Sequence, residues 1–131
     1  MSKDKIRVLV VDDSALVRQT LSQVLSTDPM IEIMATASDP FIAAERMNEE
    51  TPDVITLDIE MPRMDGYELM ATIRSQNQYR QLPLIVLTSR SAAKHQQRAT
   101  QLGADEYVVK PYQDDELIEK IDTLIQAKSQ R

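Results

Sequence analysis

Cysteine is absent from the 131 residues, which excludes disulfides, thiolate metal sites and cysteine nucleophiles and leaves the redox compartment unread on this criterion. Glycine is almost as scarce, with two residues, so neither the dinucleotide-binding fingerprint nor the phosphate-binding P-loop can be assembled. His95 is the single histidine, so no site built from several imidazoles is available. No apolar stretch approaches the ~20 residues of a membrane-spanning helix, and a 42% apolar composition reads as a soluble globular chain with no membrane role. Met1-Ser2-Lys3-Asp4-Lys5 runs into an apolar segment without a signal-peptide hydrophobic region, so a cytoplasmic location is expected. Clustered cationic charge is lacking too. A net charge of −6 argues against direct nucleic-acid contact, which needs grouped Lys and Arg.

What is present is an alternation. Short runs rich in Val, Ile, Leu or Thr fall at 6–11, 31–36, 53–57, 83–88 and 105–109, compact enough to be strands buried on both faces. Between them lie helical stripes: Val17, Leu21, Val24 and Leu25; a weaker one within 40–49 at Ala43, Ala44 and Met47; Leu69, Met70 and Ile73; and Leu117, Ile118, Ile121, Leu124 and Ile125. Segment 91–102 is polar over most of its surface and offers few apolar anchors. Five βα units in series predict an α/β fold with a parallel sheet and helices on both faces, because each right-handed crossover returns the chain to the same sheet edge. Punctuation agrees: Asp39-Pro40 reads as an N-cap with proline in the first turn, Gly103 as a helix C-cap, and Asp28-Pro29 as the close of the first helix. The length suits one domain, 1–131.

The chemistry gathers at the strand ends. Asp12 and Asp13 follow the first run, Asp58 the third, Thr88 ends the fourth and Lys110 follows the fifth. If the strands are parallel, these residues share the carboxyl edge of the sheet, where open α/β folds place their ligands. Three converging carboxylates repel one another unless a cation neutralises them, and an all-oxygen donor set suits Mg²⁺ or Mn²⁺. A carboxylate can serve as a nucleophile toward phosphorus, with Lys110 and the Thr88 hydroxyl supplying hydrogen bonds to phosphoryl oxygens. Taken singly, each position has a blander reading: Asp13-Ser14 as a helix N-cap, Lys110-Pro111 as a solvated loop, Thr88 as a strand terminus. It is their shared edge that favours a site.

The motifs Asp12-Asp13-Ser14, Leu57-Asp58-Ile59-Glu60-Met61-Pro62-Arg63-Met64-Asp65-Gly66, Thr88, Tyr107 and Lys110-Pro111 resemble, in order and spacing, the receiver domain of bacterial two-component response regulators, with a core of about 6–126. The resemblance implies a flavodoxin-like doubly wound (βα)5 three-layer sandwich with strand order 2-1-3-4-5. It implies phosphoryl acceptance by Asp58 from a histidine kinase or histidine phosphotransfer domain. Mg²⁺ would be held by Asp12, Asp13, Asp58 and the backbone carbonyl of Glu60, Lys110 would contact the phosphoryl group, and Thr88 with Tyr107 would form a switch pair. It further implies self-catalysed phosphorylation and dephosphorylation, a cis Lys110-Pro111 bond, and an output protein or domain that the sequence leaves unnamed. Segments 13–18 and 36–40 are most similar to chemotaxis methylesterase receivers, and 87–95 with Gly103 and 110–113 to receivers of chemotaxis-type hybrid histidine kinases, as in a natural or engineered mosaic. A stand-alone regulator and an excised receiver both fit.

Other residues leave alternatives open. Glu60 is either a surface carboxylate or the partner of Arg90 across the site mouth, a pair worth only ~0–1 kcal/mol when exposed. His95 reads first as a solvated helix residue. Arg90, Lys94 and Arg98 make the fourth helix basic, while Asp114, Asp115, Glu116, Glu119 and Asp122 make the fifth acidic. The 91–126 face therefore suits either a weak, salt-sensitive two-fold dimer or a different protein. Competing functions are a haloacid-dehalogenase-like phosphatase, disfavoured because its Asp-x-Asp pair belongs after the first strand, and a phosphorylation-independent docking or dimerisation module, disfavoured because every reactive position is intact. An EF-hand reading of Asp58 to Gly66 fails, since glycine falls at the ninth position instead of the sixth.

Overall fold

The computed structural model describes residues 5–59, 66–89 and 93–129. Its elements run β1 (Ile6–Val11), α1 (Ala15–Leu25), β2 (Ile31–Ala37), α2 (Pro40–Glu49), β3 (Val54–Asp58), α3 (Gly66–Arg74), a 3-10 turn at Asn77–Tyr79, β4 (Leu84–Thr88), α4 (Ala93–Gln101), β5 (Glu106–Val109) and α5 (Asp114–Ser129). The strands form one five-stranded sheet in the order β2-β1-β3-β4-β5, and every pairing is parallel. This is the expected flavodoxin-like arrangement.

Period-2 alternation divides each strand between two cores. Leu9, Val11, Ile55, Leu57, Leu84 and Val86 point to one face, where they meet Ala43 and Met47 of α2, Leu69, Met70 and Ile73 of α3 and Ala99 of α4. Val8, Val10, Val54, Ile85 and Leu87 point to the other, against Leu21 and Leu25 of α1 and Leu117 and Ile121 of α5. Residues of β3 and β4 are buried throughout, as helices on both faces require. Truncating a core Leu or Ile here to Ala would cost about 2–5 kcal/mol.

Local chemistry sets most boundaries. Ser14 caps α1 by accepting from Val17 N–H at 3.2 Å, and Asp39 caps α2 by accepting from Ile42 N–H at 2.9 Å with Pro40 in the first turn. Gly103 adopts φ 107°, the left-handed conformation a helix exit favours in glycine. Two expectations need correction. Asp28-Pro29 does not close α1, which ends at Leu25; Asp28 instead shapes the following turn by accepting from Met30 N–H at 2.8 Å. Asp58 does not lie beyond β3 but is its last paired residue, opposite Leu87.

Candidate functional site

The backbone of the sheet fixes the site before any side chain does. Asp12 N–H continues the β1–β2 ladder by donating to Ala37 O at 3.0 Å, and Lys110 N–H continues the β4–β5 ladder by donating to Thr88 O at 2.8 Å. Asp12, Asp58, Thr88 and Lys110 therefore stand at the carboxyl ends of four neighbouring strands. Among the described residues, Asp12, Asp13 and Asp58 form an acidic group in which one carboxylate oxygen from each lies within 4.8 Å of the others.

The three carboxylates are not equivalent. Asp12 and Asp58 are buried, at 3% and 6% exposure, whereas Asp13 is exposed. Asp12 is held on several sides: Oδ1 accepts from Ser14 N–H at 2.9 Å, its carbonyl accepts from the Arg18 guanidinium at 2.8 Å, and Oδ2 lies 3.6 Å from Lys110 Nζ. Opposite ligands of an octahedral Mg²⁺ are about 4.2 Å apart, twice the usual metal–oxygen distance. An oxygen cluster 4.8 Å across needs only slight contraction to hold such an ion, and exposed Asp13 leaves one side open to water. The hard, all-oxygen donor set fits Mg²⁺.

Thr88 is buried at the end of β4, paired with Val109. Tyr107 is half-buried on β5 opposite Val86 and packs against the core beneath α2, α3 and α4. The Lys110-Pro111 bond is cis. Glu60 and Arg90, expected as a carbonyl ligand and as its cross-site partner, lie outside the described residues.

Site neighbours passed over in the sequence reading are now visible. Arg18 buttresses Asp12 from the end of the first turn of α1; its signal was an arginine directly beside the apolar stripe. Leu16 is 73% exposed in the first turn of α1, off the Val17–Leu21–Val24 stripe, which is how it could have been found. With Val17, Thr20, Lys110, Pro111 and Tyr112 it borders a groove of about 340 Å³. Burial there, followed by the charges of Asp114 and Asp12, pushes the Tyr112 phenol above its ordinary value.

The family model for the response regulator receiver domain matches residues 8–122. The chain belongs to this family. A protein-glutamate methylesterase/protein-glutamine glutaminase of Geobacter metallireducens is 53% identical over 109 residues, covering 82% of this chain and 30% of that protein. One from Rhodospirillum rubrum is 49% identical over 109 residues, with 82% and 29% coverage. The chain thus spans about 30% of the length of these curated relatives, and its likeness to them is not confined to the N-terminal half. Among solved structures, the response regulator domain of Thermotoga maritima CheB matches with TM-score 0.83 and 33% identity, covering 93% of this chain and 97% of that one. Vibrio cholerae chemotaxis protein CheY4 matches with TM-score 0.82 and 31% identity, with 92% and 98% coverage. The chain is a receiver domain homologous to the phosphorylation-regulated response regulators of two-component and chemotaxis systems, and a docking module independent of phosphorylation is not favoured. Receiver domains bind Mg²⁺ at an acidic pocket and interact with histidine kinases and output domains. No helix among the described residues is long and apolar enough to cross a membrane.

Proposed function

We propose that Asp58 accepts a phosphoryl group from a partner phosphohistidine and that residues 93–126 report the event. The observation that carries this reading is the convergence of Asp12, Asp13 and Asp58 within 4.8 Å, with Lys110 3.6 Å from Asp12. An Asp58 carboxylate oxygen attacks phosphorus, the P–N bond breaks, and the imidazole leaves with the electron pair and takes up a proton. Asp12, Asp13 and Asp58, with the Glu60 carbonyl, would hold Mg²⁺, which would supply the positive charge that lets two anions approach. Lys110 and the Thr88 hydroxyl donate to the transferred oxygens. Hydrolysis of the acyl phosphate by water resets the domain and releases inorganic phosphate.

Phosphorylation adds up to about two negative charges. Drawing Thr88 toward them frees space into which Tyr107 turns, and the α4–β5–α5 face changes shape. The apolar groove beside exposed Leu16 opens next to Lys110 and suits an apolar helix of the phosphodonor, a histidine kinase or phosphotransfer domain. That leaves the α4–α5 side to the output. The output we favour is a protein-glutamate methylesterase, as in the named relatives, acting in the cytoplasm on a chain folded as one domain. Exposed Lys94 and Arg98 on α4 and exposed Asp114, Asp115, Glu116 and Glu119 on α5 also make this face self-complementary for a weak dimer. Intact mass after incubation with Mg²⁺ and acetyl phosphate tests the reading: wild type gains one phosphoryl group, and Asp58→Asn does not gain it at the wild-type rate.

A further inference from the structure

Helix α4 has little apolar anchorage of its own, since Ala99 is its buried residue. Its two ends are held differently. At the C-terminal end the Arg74 guanidinium donates to Gly103 O from Nε at 3.2 Å and from Nη2 at 2.6 Å, and Ala104 N–H closes onto Ala99 O at 2.9 Å. Nearer its N-terminus, at His95, and again at Arg98, the helix instead rests on Tyr67 of α3. That side chain is 4% exposed, its hydroxyl donates to His95 O at 3.4 Å, and its ring lies under the Arg98 guanidinium, 4.8 Å from the centroid. A hydrogen bond longer than the usual O–H···O range and a cation–π contact at an exposed arginine are both given up easily. The bonds to Gly103 are not.

Tyr67 is the second residue of α3, and the first is locked to the chain beside Asp58. Gly66 N–H donates to Ile59 O at 3.1 Å. A Cβ at Gly66 would come within 2.5 Å of Ile59 Cα, so the two backbones touch without an intervening side chain. Ile59 is fully buried and has no slack toward solvent. A displacement of the Asp58–Ile59 backbone therefore bears directly on the first turn of α3.

We infer that Tyr67 is a positioning residue that couples the backbone beside Asp58 to α4, along a path separate from Thr88 and Tyr107. Strain on Ile59 moves Gly66, Tyr67 releases His95 O, and α4 pivots about its clamped end at Gly103. The inference rests on the reading of Asp58 as phosphoryl acceptor.

The test uses the full chain with Mg²⁺, in the presence and absence of beryllofluoride as the phosphoryl mimic, for wild type, Tyr67→Leu, Tyr67→Phe and Arg98→Gln. Amide hydrogen exchange is read over α4 and over the sheet, and phosphorylation by acetyl phosphate is followed by intact mass. In the resting protein Tyr67→Leu speeds exchange in α4 by about 3- to 10-fold, with smaller increases for Tyr67→Phe, which keeps the ring, and for Arg98→Gln, which keeps the hydroxyl. Sheet exchange and uptake of phosphoryl at Asp58 stay at wild-type levels. The beryllofluoride-induced change in α4 shrinks in Tyr67→Leu and is partly restored in Tyr67→Phe, while the change at Tyr107 persists. Wild-type exchange in α4 and a full α4 response in Tyr67→Leu would overturn the inference; if that variant does not fold, the same result in both Tyr67→Phe and Arg98→Gln does so. A wild-type protein with no beryllofluoride response anywhere defeats the Asp58 reading instead, and the resting-state comparison still decides whether Tyr67 holds α4.

Discussion

Lys110 Nζ lies 3.6 Å from Asp12 Oδ2, an ion pair in which the carboxylate side chain is 4% exposed and the lysine 28%. Lys110 thus neutralises part of the carboxylate cluster. Removing it leaves a buried carboxylate beside two others. Lys110→Ala should lower the stability of the metal-free protein by about 1–3 kcal/mol, less than for a fully buried pair because the lysine end is partly solvated. Urea unfolding in chelator checks this. The same variant should take up a phosphoryl group on Asp58 yet lose most of the beryllofluoride response at Tyr107. A full response would remove Lys110 from the coupling.

Mg²⁺ should raise Tm, because the carboxylates converge in the folded chain and not in the unfolded one; at a hundredfold excess over Kd the gain is about 2.7 kcal/mol. Asp13→Ala should raise Tm in chelator, by relieving repulsion, and lose most of the Mg²⁺-dependent rise. Thermal scans in chelator and in millimolar Mg²⁺ test both. Identical Tm values for wild type in the two buffers would count against the metal site.

Thr56 is 1% exposed, and its hydroxyl has no hydrogen-bond partner among the described residues. It lies on β3 between Val10 and Ile85, two residues below Asp58. Thr56→Val keeps the shape and removes a desolvated hydroxyl, so it should stabilise the protein by about 1 kcal/mol. A loss of stability on denaturant titration would mean that the hydroxyl is satisfied in solution.

Asp122 has its carboxyl pushed above the usual carboxylate range, first by burial and then by the charge of Asp28. A raised folded-state value favours the protonated form, so its stabilising contribution is complete at acid pH and is lost as pH rises through the raised value. Asp122→Asn, neutral throughout, should melt above wild type at neutral pH. The difference should close as pH falls below the ordinary carboxylate range. A constant difference from acid to neutral pH would assign the effect to packing.

Much of this was legible in the sequence because periodicity reports burial directly. Strands β3 and β4 and the Val8–Val11 part of β1 are largely apolar runs buried on both faces, and the Leu117–Ile121 stripe of α5 shows its inner side plainly. Asp12, Asp13, Asp58, Thr88 and Lys110 could be grouped because parallel strands put their carboxyl ends on one edge. Boundaries were less legible where polar residues carry two roles: Asp28 looks like a helix stop but shapes a turn, and Asp58 pairs in the sheet while presenting its carboxylate at the edge. Long-range contacts left no local signal at all. Arg74 reaching Gly103 and Tyr67 under Arg98 join residues that only the fold brings together.

The most direct test of the account is to locate the acyl phosphate chemically. The chain is incubated with Mg²⁺ and acetyl phosphate, reduced with borohydride, which converts an aspartyl phosphate to homoserine, and sequenced by peptide mass spectrometry. The account predicts homoserine at position 58, dependent on Mg²⁺ and absent without the phosphodonor. Homoserine at Asp12, Asp13 or elsewhere with Asp58 unmodified, or no homoserine in a Mg²⁺-loaded and folded protein, would contradict it.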